Sequence, residues 1–325
     1  MERQKVVIID CDHGSIEEER AVFSQLEADV DFAQISGEEA ILARCRDADG
    51  IILQYAPLPR KMLEALPRCK VLSRYGVGVD TIDVEAATEL GIIVGNVPDY
   101  CMEEVSDHTL ALFLSLVRKV NSLERSIRSG TWDFRIAVPI RRLKGMTYGI
   151  VGCGRIGREV AKRVKAFGLR VIGYDPYISE VEGIELVSFE KLLAQSDFIS
   201  IHCSLTESTH HLLGRDQFRK MERKPIVLNV SRGAVVDEAA LIEALEREWI
   251  SGACLDVLET EPPDAKSPLL KRDNVILTPH IAYYSEESKS EMKRRTAENV
   301  FNVLTGKLPR SVVNKEVVGR SRAGL

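Results

Sequence analysis

The 325-residue sequence predicts an α/β protein made of two doubly wound parallel-sheet domains. Three observations carry that expectation. Short apolar runs alternate with amphipathic helical stretches along the whole chain. A glycine-rich turn stands between a strand-like run and a helix near the middle of the chain. The strand-like runs fall into one group before that turn and a second group from it onward, which implies two sheets.

Taken in order, KVVIID (5–10), ADGIILQ (48–54) and KVLSRY (70–75) are the strand candidates of the first group. The segment from Glu103 to Val120 is rich in leucine and predicts a helix, set between Pro98 and the polar stretch 121–130. The second group holds the strand before the turn, then RVIGYD (170–175), DFISIH (197–202), PIVLNV (225–230), GACLDV (252–257) and NVILTP (274–279). A last helix is expected from Ser285 to Leu304. If both helices bridge the two domains, residues 1–98 and 285–325 form one smaller, split domain of flavodoxin-like type, with residues 99–284 inserted between them. There is no internal repeat and no low-complexity tract.

The turn itself, TYGIVGCGRIGREVAKRVKAFGLRVIGYD (147–175), has the dinucleotide-binding fingerprint in full context: strand, Gly152, Gly154 and Gly157, helix, second strand, terminal acid. Gly152 permits the tight turn, Gly154 lets a pyrophosphate approach the backbone, and Gly157 lets helix and strand pack closely. Arg155 and Ile156 open the helix, whose N-terminal N–H groups face the phosphates. Asp175 at the end of the second strand suits the adenosine ribose hydroxyls and repels a 2′-phosphate, so the expected cofactor is NAD. Ile156, Val160, Val164 and Phe167 predict the face of the helix that packs on the sheet.

Composition narrows the function class. A net charge of −5 and a pI near 5.8 argue against a general grip on nucleic acid. No apolar run approaches membrane-spanning length, and MERQKVVIID lacks a signal-peptide pattern, so no membrane partner is expected. Seven scattered cysteines without a CxxC pair point to reduced thiols in a cytoplasmic protein, with no disulfide framework and no metal site.

Ligands of doubly wound sheets bind beyond the carboxyl ends of the strands. Arg232 follows PIVLNV, Asp256 and Glu261 fall at and beyond the end of GACLDV, and His280 follows NVILTP. Such a set suits reduction of a 2-oxo acid. Arg232 offers a planar fork of donors for carboxylate and carbonyl oxygen. His280 serves as acid in reduction and base in oxidation, and Glu261 orients the imidazole and favours its protonated form. Each has an alternative taken singly: Arg232 pairing with Asp237, Glu261 as an exposed loop carboxylate, His280 as a backbone-bonded histidine. His202 ends DFISIH and could line the cofactor cleft; His210 and His211 form a pair in a polar loop. In the first domain RYGVGVD (74–80) is either an anion-binding loop or an ordinary strand-to-helix turn, and Gln54 and Tyr55 fall at the carboxyl edge of the same sheet.

These motifs together resemble the D-isomer-specific 2-hydroxyacid dehydrogenases, over nearly the whole chain. RYGVGVD is similar to the family's substrate-carboxylate loop, which implies substrate contacts for Arg74, Tyr75, Gly76, Val77 and Gly78, with Tyr55 and Tyr283 shaping the pocket. NVSRGAVVDE, GACLDVLETEP and TPHIA resemble the blocks that supply the arginine, glutamate and histidine. Asp256 matches an aspartate that lies by the nicotinamide in the family. The resemblance further implies a homodimer formed through the nucleotide domains, D stereochemistry and a small 2-hydroxy or 2-oxo acid substrate. HHLLGRDQF and TPHIAYYSEESKSEM are most similar to the C-terminal-binding proteins, which raises an alternative, an NAD(H)-sensing protein scaffold. Tyr283 stands where that branch has tryptophan, and Gln54 where phosphoglycerate-specific members tend to have arginine.

Overall fold

In the computed structural model, residues 3–325 are described. The chain begins with β1 (Gln4–Ile8), α1 (Glu17–Phe23), β2 (Ala28–Phe32), α2 (Glu38–Cys45), β3 (Gly50–Leu53), α3 (Arg60–Glu64), β4 (Val71–Arg74), α4 (Val84–Glu89) and β5 (Ile93–Gly95). Its five strands form a parallel sheet of order β2-β1-β3-β4-β5, the order of a flavodoxin-like sheet. β3 and β4 are buried on both faces, which explains their unbroken apolar runs.

The chain continues through α5 (Met102–Val117), α6 (Val120–Arg128), β6 (Thr147–Val151), α7 (Arg155–Lys165), β7 (Arg170–Tyr174), β8 (Glu185–Leu186), α8 (Phe189–Gln195) and β9 (Phe198–Ile201). Then come α9 (Arg215–Arg219), β10 (Ile226–Asn229), α10 (Glu238–Glu246), β11 (Gly252–Leu255) and β12 (Val275–Leu277). The seven strands pair in parallel as β12-β11-β10-β9-β6-β7-β8. The order reverses between β6 and β9, where such sheets open their ligand crevice. Side-chain caps mark several helix starts: Ser188 accepts from the Lys191 N–H and Asp237 from that of Ala240.

The last helix, α11 (Glu286–Leu304), starts at a capping box of Ser285 and Ser288. It packs on the first sheet: a Cβ on Gly50 would lie 2.6 Å from Val300 Cγ1, so only glycine allows the helix this close. The contacts divide the chain into two units, the chain to Tyr100 with Ser285–Leu325, and Cys101–Tyr284.

Three differences from the sequence expectation have physical causes. β2, β5 and β8 were not anticipated; all three are edge strands, and they are short or, in β2, carry two aspartates, so they lack the apolar run of a central strand. The leucine-rich helix ends at Val117, because Lys119 turns left-handed (φ 55°), and most of the stretch seen only as polar forms α6. Phe167 lies beyond the end of α7 and is exposed; the buried face of that helix is Gly157, Val160, Ala161 and Val164.

Candidate active site

The glycine turn is built as its three glycines predict. Gly152 has φ 92°, and a Cβ there would sit 2.6 Å from the Cys203 nitrogen. A Cβ on Gly157 would fall 2.2 Å from the Gly152 carbonyl oxygen, the close approach of helix to turn. Around Gly154 nothing lies within 4 Å of the corresponding position, so this side of the turn is open to a pyrophosphate. Arg155 and Ile156 form the first turn of α7, where N–H groups lack intrahelical partners. Asp175 is pinned beside the turn: its carboxylate accepts from the Cys153 N–H at 2.9 Å and the Tyr177 N–H at 3.0 Å. These residues fit a dinucleotide. His202 follows β9 and its Nε2 lies 2.8 Å from Ser200 Oγ; burial pushes its pKa down to about 3, so the ring is neutral at physiological pH.

Three loops at the carboxyl ends of β10, β11 and β12 bring the predicted polar residues together. After β10, the buried Asn229 side chain ties the turn to itself. It donates to the Arg232 carbonyl at 2.8 Å and accepts from the Ser231 N–H and hydroxyl at 3.1 and 3.0 Å. The next residue, Gly233, is where the β10 loop meets the β11 loop: a Cβ there would lie 1.9 Å from the Leu258 carbonyl group. No other residue fits. Arg232 itself donates from Nη1 to the Ser231 carbonyl at 2.8 Å.

Glu261 and His280 form the central pair. Glu261 Oε2 lies 2.8 Å from His280 Nδ1, and Oε1 accepts the Leu258 N–H at 3.0 Å. Burial would raise the Glu261 pKa, yet the hydrogen bond and charge of His280 hold it below its ordinary value. The His280 backbone is left-handed (φ 53°), a conformation a β-carbon disfavours, and it is held there by N–H bonds to Asp256 O at 2.8 Å and Thr278 O at 3.0 Å. With Nδ1 facing Glu261, Nε2 is the ring nitrogen left for a substrate.

Asp256 is only 2% exposed, and its carboxylate is a staple for the His280 loop. It accepts from Thr278 Oγ1 at 2.6 Å, the Ile281 N–H at 3.0 Å and the Ala282 N–H at 2.9 Å. Burial would raise its pKa, but these bonds and the nearby His108 bring it below the usual carboxylate range. Tyr283 follows in the same turn, edge to face with Tyr284 at 6.4 Å.

In the first unit, the buried Asp10 collects the N–H groups of Gln54, Tyr55 and Ala56 at 2.7, 2.5 and 2.8 Å, which sets the loop after β3. Gln54 is buried and its side chain accepts the Asp12 N–H at 3.1 Å, while Tyr55 is half exposed. Arg74 is buried and donates from Nε to the Gln54 carbonyl at 3.0 Å. Gly76 turns the loop with φ 105°, Val77 is exposed, and Gly78 is half-buried.

Sequence reasoning missed Asn229, His108 and Asp10. His108 on α5 places Nε2 3.0 Å from Thr278 Oγ1 and 3.5 Å from Asp256, a contact across 148 residues (256 − 108) that no local pattern announces. Asn229 was within reach, as the first side chain past the apolar part of PIVLNV. The His210–His211 pair stacks at 4.0 Å, and His211 Nε2 lies 2.5 Å from Glu259 Oε1. Glu259 Oε2 accepts the Glu238 N–H at 2.9 Å, so the His211 contact and a loop anchor engage both of its oxygens.

Fold and glycine turn thus define the class, a two-unit α/β protein with a dinucleotide-binding sheet. Residues 110–282 match the model of the D-isomer specific 2-hydroxyacid dehydrogenase NAD binding domain. The chain is 43% identical over 290 residues to a glyoxylate reductase of Korarchaeum cryptofilum, covering 86% of this chain and 87% of that protein. It is 42% identical over 293 residues to a D-3-phosphoglycerate dehydrogenase of Methanocaldococcus jannaschii, covering 88% of this chain but 56% of the longer relative. Among solved structures, D-lactate dehydrogenase from Aquifex aeolicus, in complex with NAD and lactic acid, superposes with a TM-score of 0.86 at 29% identity over 95% of this chain and 99% of that one. The chain belongs to the D-isomer-specific 2-hydroxyacid dehydrogenase family. It is an oxidoreductase of 2-hydroxy acids that uses a nicotinamide dinucleotide. The C-terminal-binding protein reading gains no support from these relatives.

Proposed function

We propose that this dehydrogenase interconverts a small D-2-hydroxy acid and its 2-oxo acid with NAD(H), His280 serving as acid and base. The observation that carries the reading is the 2.8 Å contact between His280 Nδ1 and Glu261, on a backbone that holds the ring by its own N–H bonds. Bound NADH supplies the hydride that reaches C2. Arg232 holds the carboxylate and polarises the carbonyl oxygen. His280 Nε2 delivers the proton to that oxygen, and Glu261, at Nδ1, orients the ring. The Arg74–Gly78 loop is a second anchor for the carboxylate, and Tyr55 and Tyr283 shape the pocket. In the oxidation direction each step reverses.

NAD is proposed over NADP because Asp175 stands beside the glycine turn with its charge already placed. Asp175→Ala is expected to narrow the preference for NADH over NADPH roughly 10- to 100-fold, read as a ratio of kcat/KM values. Glyoxylate and hydroxypyruvate are the favoured substrates and phosphohydroxypyruvate the less favoured, since Gln54 is uncharged and buried with its side chain engaged by Asp12. NADH oxidation by the purified enzyme over these three acids, pyruvate, branched 2-oxo acids and sulfopyruvate tests the assignment. Saturable turnover on one member supports it; NADH binding without turnover on any member contradicts it.

We also propose a cytoplasmic homodimer. All seven cysteines are free thiols, and no helix among the described residues is long and apolar enough to cross a membrane. Trp132 (88% exposed), Phe134 (76%) and Val138 (61%) sit on one short segment of the nucleotide-binding unit, which also carries a cleft of about 970 Å³ lined in part by Leu116, Ile136 and Met146. A second copy is the occupant this apolar segment suits. Light scattering is expected to give twice the 36.3 kDa chain mass.

A further inference from the structure

The first unit contains a buried ionic cluster that the chemistry above does not use. Lys293, in the middle of α11, is 1% exposed, where an apolar side chain would be ordinary on a helix packed against a sheet. Its ammonium reaches the Ser15 carbonyl at 2.5 Å, Glu18 Oε2 at 2.6 Å and Glu19 Oε2 at 3.5 Å. Glu19, on α1, is wholly buried, and its Oε1 accepts the phenol O–H of Tyr75 at 2.6 Å. Tyr75 is itself 2% exposed, with the His13 ring edge-on at 5.6 Å.

Stability alone is a poor reason for this arrangement, because replacing a buried ion pair by apolar groups is often neutral or stabilising. What the cluster touches is informative. Tyr75 lies between Arg74 and Gly76, at the root of the Arg74–Gly78 loop. Other tethers of that loop run to neutral groups, among them Arg74 Nε to Gln54 O at 3.0 Å, Tyr75 N–H to Leu53 O at 2.9 Å, Val97 N–H to Gly76 O at 2.9 Å and Asn96 Nδ2 to Val77 O at 2.6 Å. The phenol bond is the one that ties the loop to a charged pair spanning α1 and α11. Burial, and then the charge of Glu19, raise the Tyr75 pKa well above its ordinary value, so the phenol stays the donor.

We infer that Tyr75, Glu19 and Lys293 are positioning residues for the substrate: the buried ion pair fixes Tyr75, and Tyr75 fixes the backbone of the Arg74–Gly78 loop against the substrate carboxylate. The inference rests on the proposed role of that loop in carboxylate binding.

The test compares Tyr75→Phe, Lys293→Met, the double variant and Arg74→Met in the full-length enzyme, with glyoxylate and hydroxypyruvate as substrates. KM for the oxo acid, Kd for NADH and thermal unfolding are measured for each. Tyr75→Phe and Lys293→Met are each expected to raise KM about tenfold, the loss of one hydrogen bond to a charged group. The double variant is expected to raise it no further, since both act through one contact. NADH affinity stays within twofold, and Lys293→Met, which leaves the buried Glu19 without its cation, lowers the unfolding temperature whichever role the cluster has. A merely structural cluster lowers the unfolding temperature with KM unchanged. That outcome, combined with a raised KM in Arg74→Met, overturns the positioning role and leaves the loop assignment standing. If Arg74→Met leaves KM unchanged, the loop assignment falls and the inference falls with it.

Discussion

The two units of this dehydrogenase share one device at the carboxyl edges of their sheets, a buried aspartate that gathers loop amides, and differ in what they add to it. In Cys101–Tyr284, Asp256 gathers the Ile281 and Ala282 amides, and the proposed catalytic side chains depend further on backbone geometry: a left-handed His280 and a Gly233 with no room for a methyl group. In the first unit the loop residues owe their position to buried side chains, Asp10 beneath 54–56 and the Glu19–Lys293 pair beneath Tyr75. Under the proposed roles, the difference follows from the task. A proton-transfer group needs its charge exposed to the substrate and its direction fixed, so strain goes into the backbone. A loop that presents backbone donors needs rigid support from behind, which buried charge-assisted hydrogen bonds supply.

The comparison is broken most directly at His280. His280→Ala is expected to lower kcat by about 10²- to 10⁴-fold, the usual contribution of general acid–base catalysis, with NADH binding retained in a fluorescence titration. Wild-type turnover would show that the strained residue is not the proton carrier. Gly233→Ala sharpens the role of backbone geometry: the added methyl must push the Leu258–Glu261 loop away. A loss of roughly 1–3 kcal/mol in stability is expected by denaturant unfolding, with a fall in kcat/KM larger than stability explains, because Glu261 moves with its loop.

The effect at Asp256 is one of stability alone, and it depends on pH. Its pKa is held below the ordinary carboxylate value in the folded protein. Its contribution is therefore fully present above the unfolded value of about 3.9 and is lost as pH falls through the lower folded value. Asp256→Asn is expected to lose about 1.5–3 kcal/mol at pH 7, with the gap to wild type closing as pH drops below about 4. A gap of equal size at both ends would show that shape, not charge, makes Asp256 a staple.

Much of the site could be read in advance because its residues sit directly after apolar strands. Arg232, Glu261 and His280 lie beyond β10, β11 and β12, and parallel topology sends all three to one edge whatever the details. The glycine turn was equally readable, since each glycine answers a steric demand that is local in sequence. Asp256 was anticipated at the end of β11; what its neighbours in sequence do not announce is that its carboxylate oxygens accept hydrogen bonds from the His280 loop, set by backbone amides 25 and 26 residues away. The edge strands β2, β5 and β8 escaped notice because a strand paired on one side needs little apolar length.

The alternation of strands and helices, the dinucleotide turn with its acid, and the order in which the polar residues follow the strands are all written in the linear chain. These are properties of short segments, governed by periodicity and by what a residue can do to its own backbone. Packing in three dimensions is what brings Lys293 to Glu19 across 274 residues (293 − 19), makes Tyr75 a donor to that pair, and sets His108 within reach of Asp256. Such contacts depend on which helix covers which sheet face and in what register. Burial then converts an ordinary acid and amine into a fixed, water-free pair whose cost must be met by mutual contact.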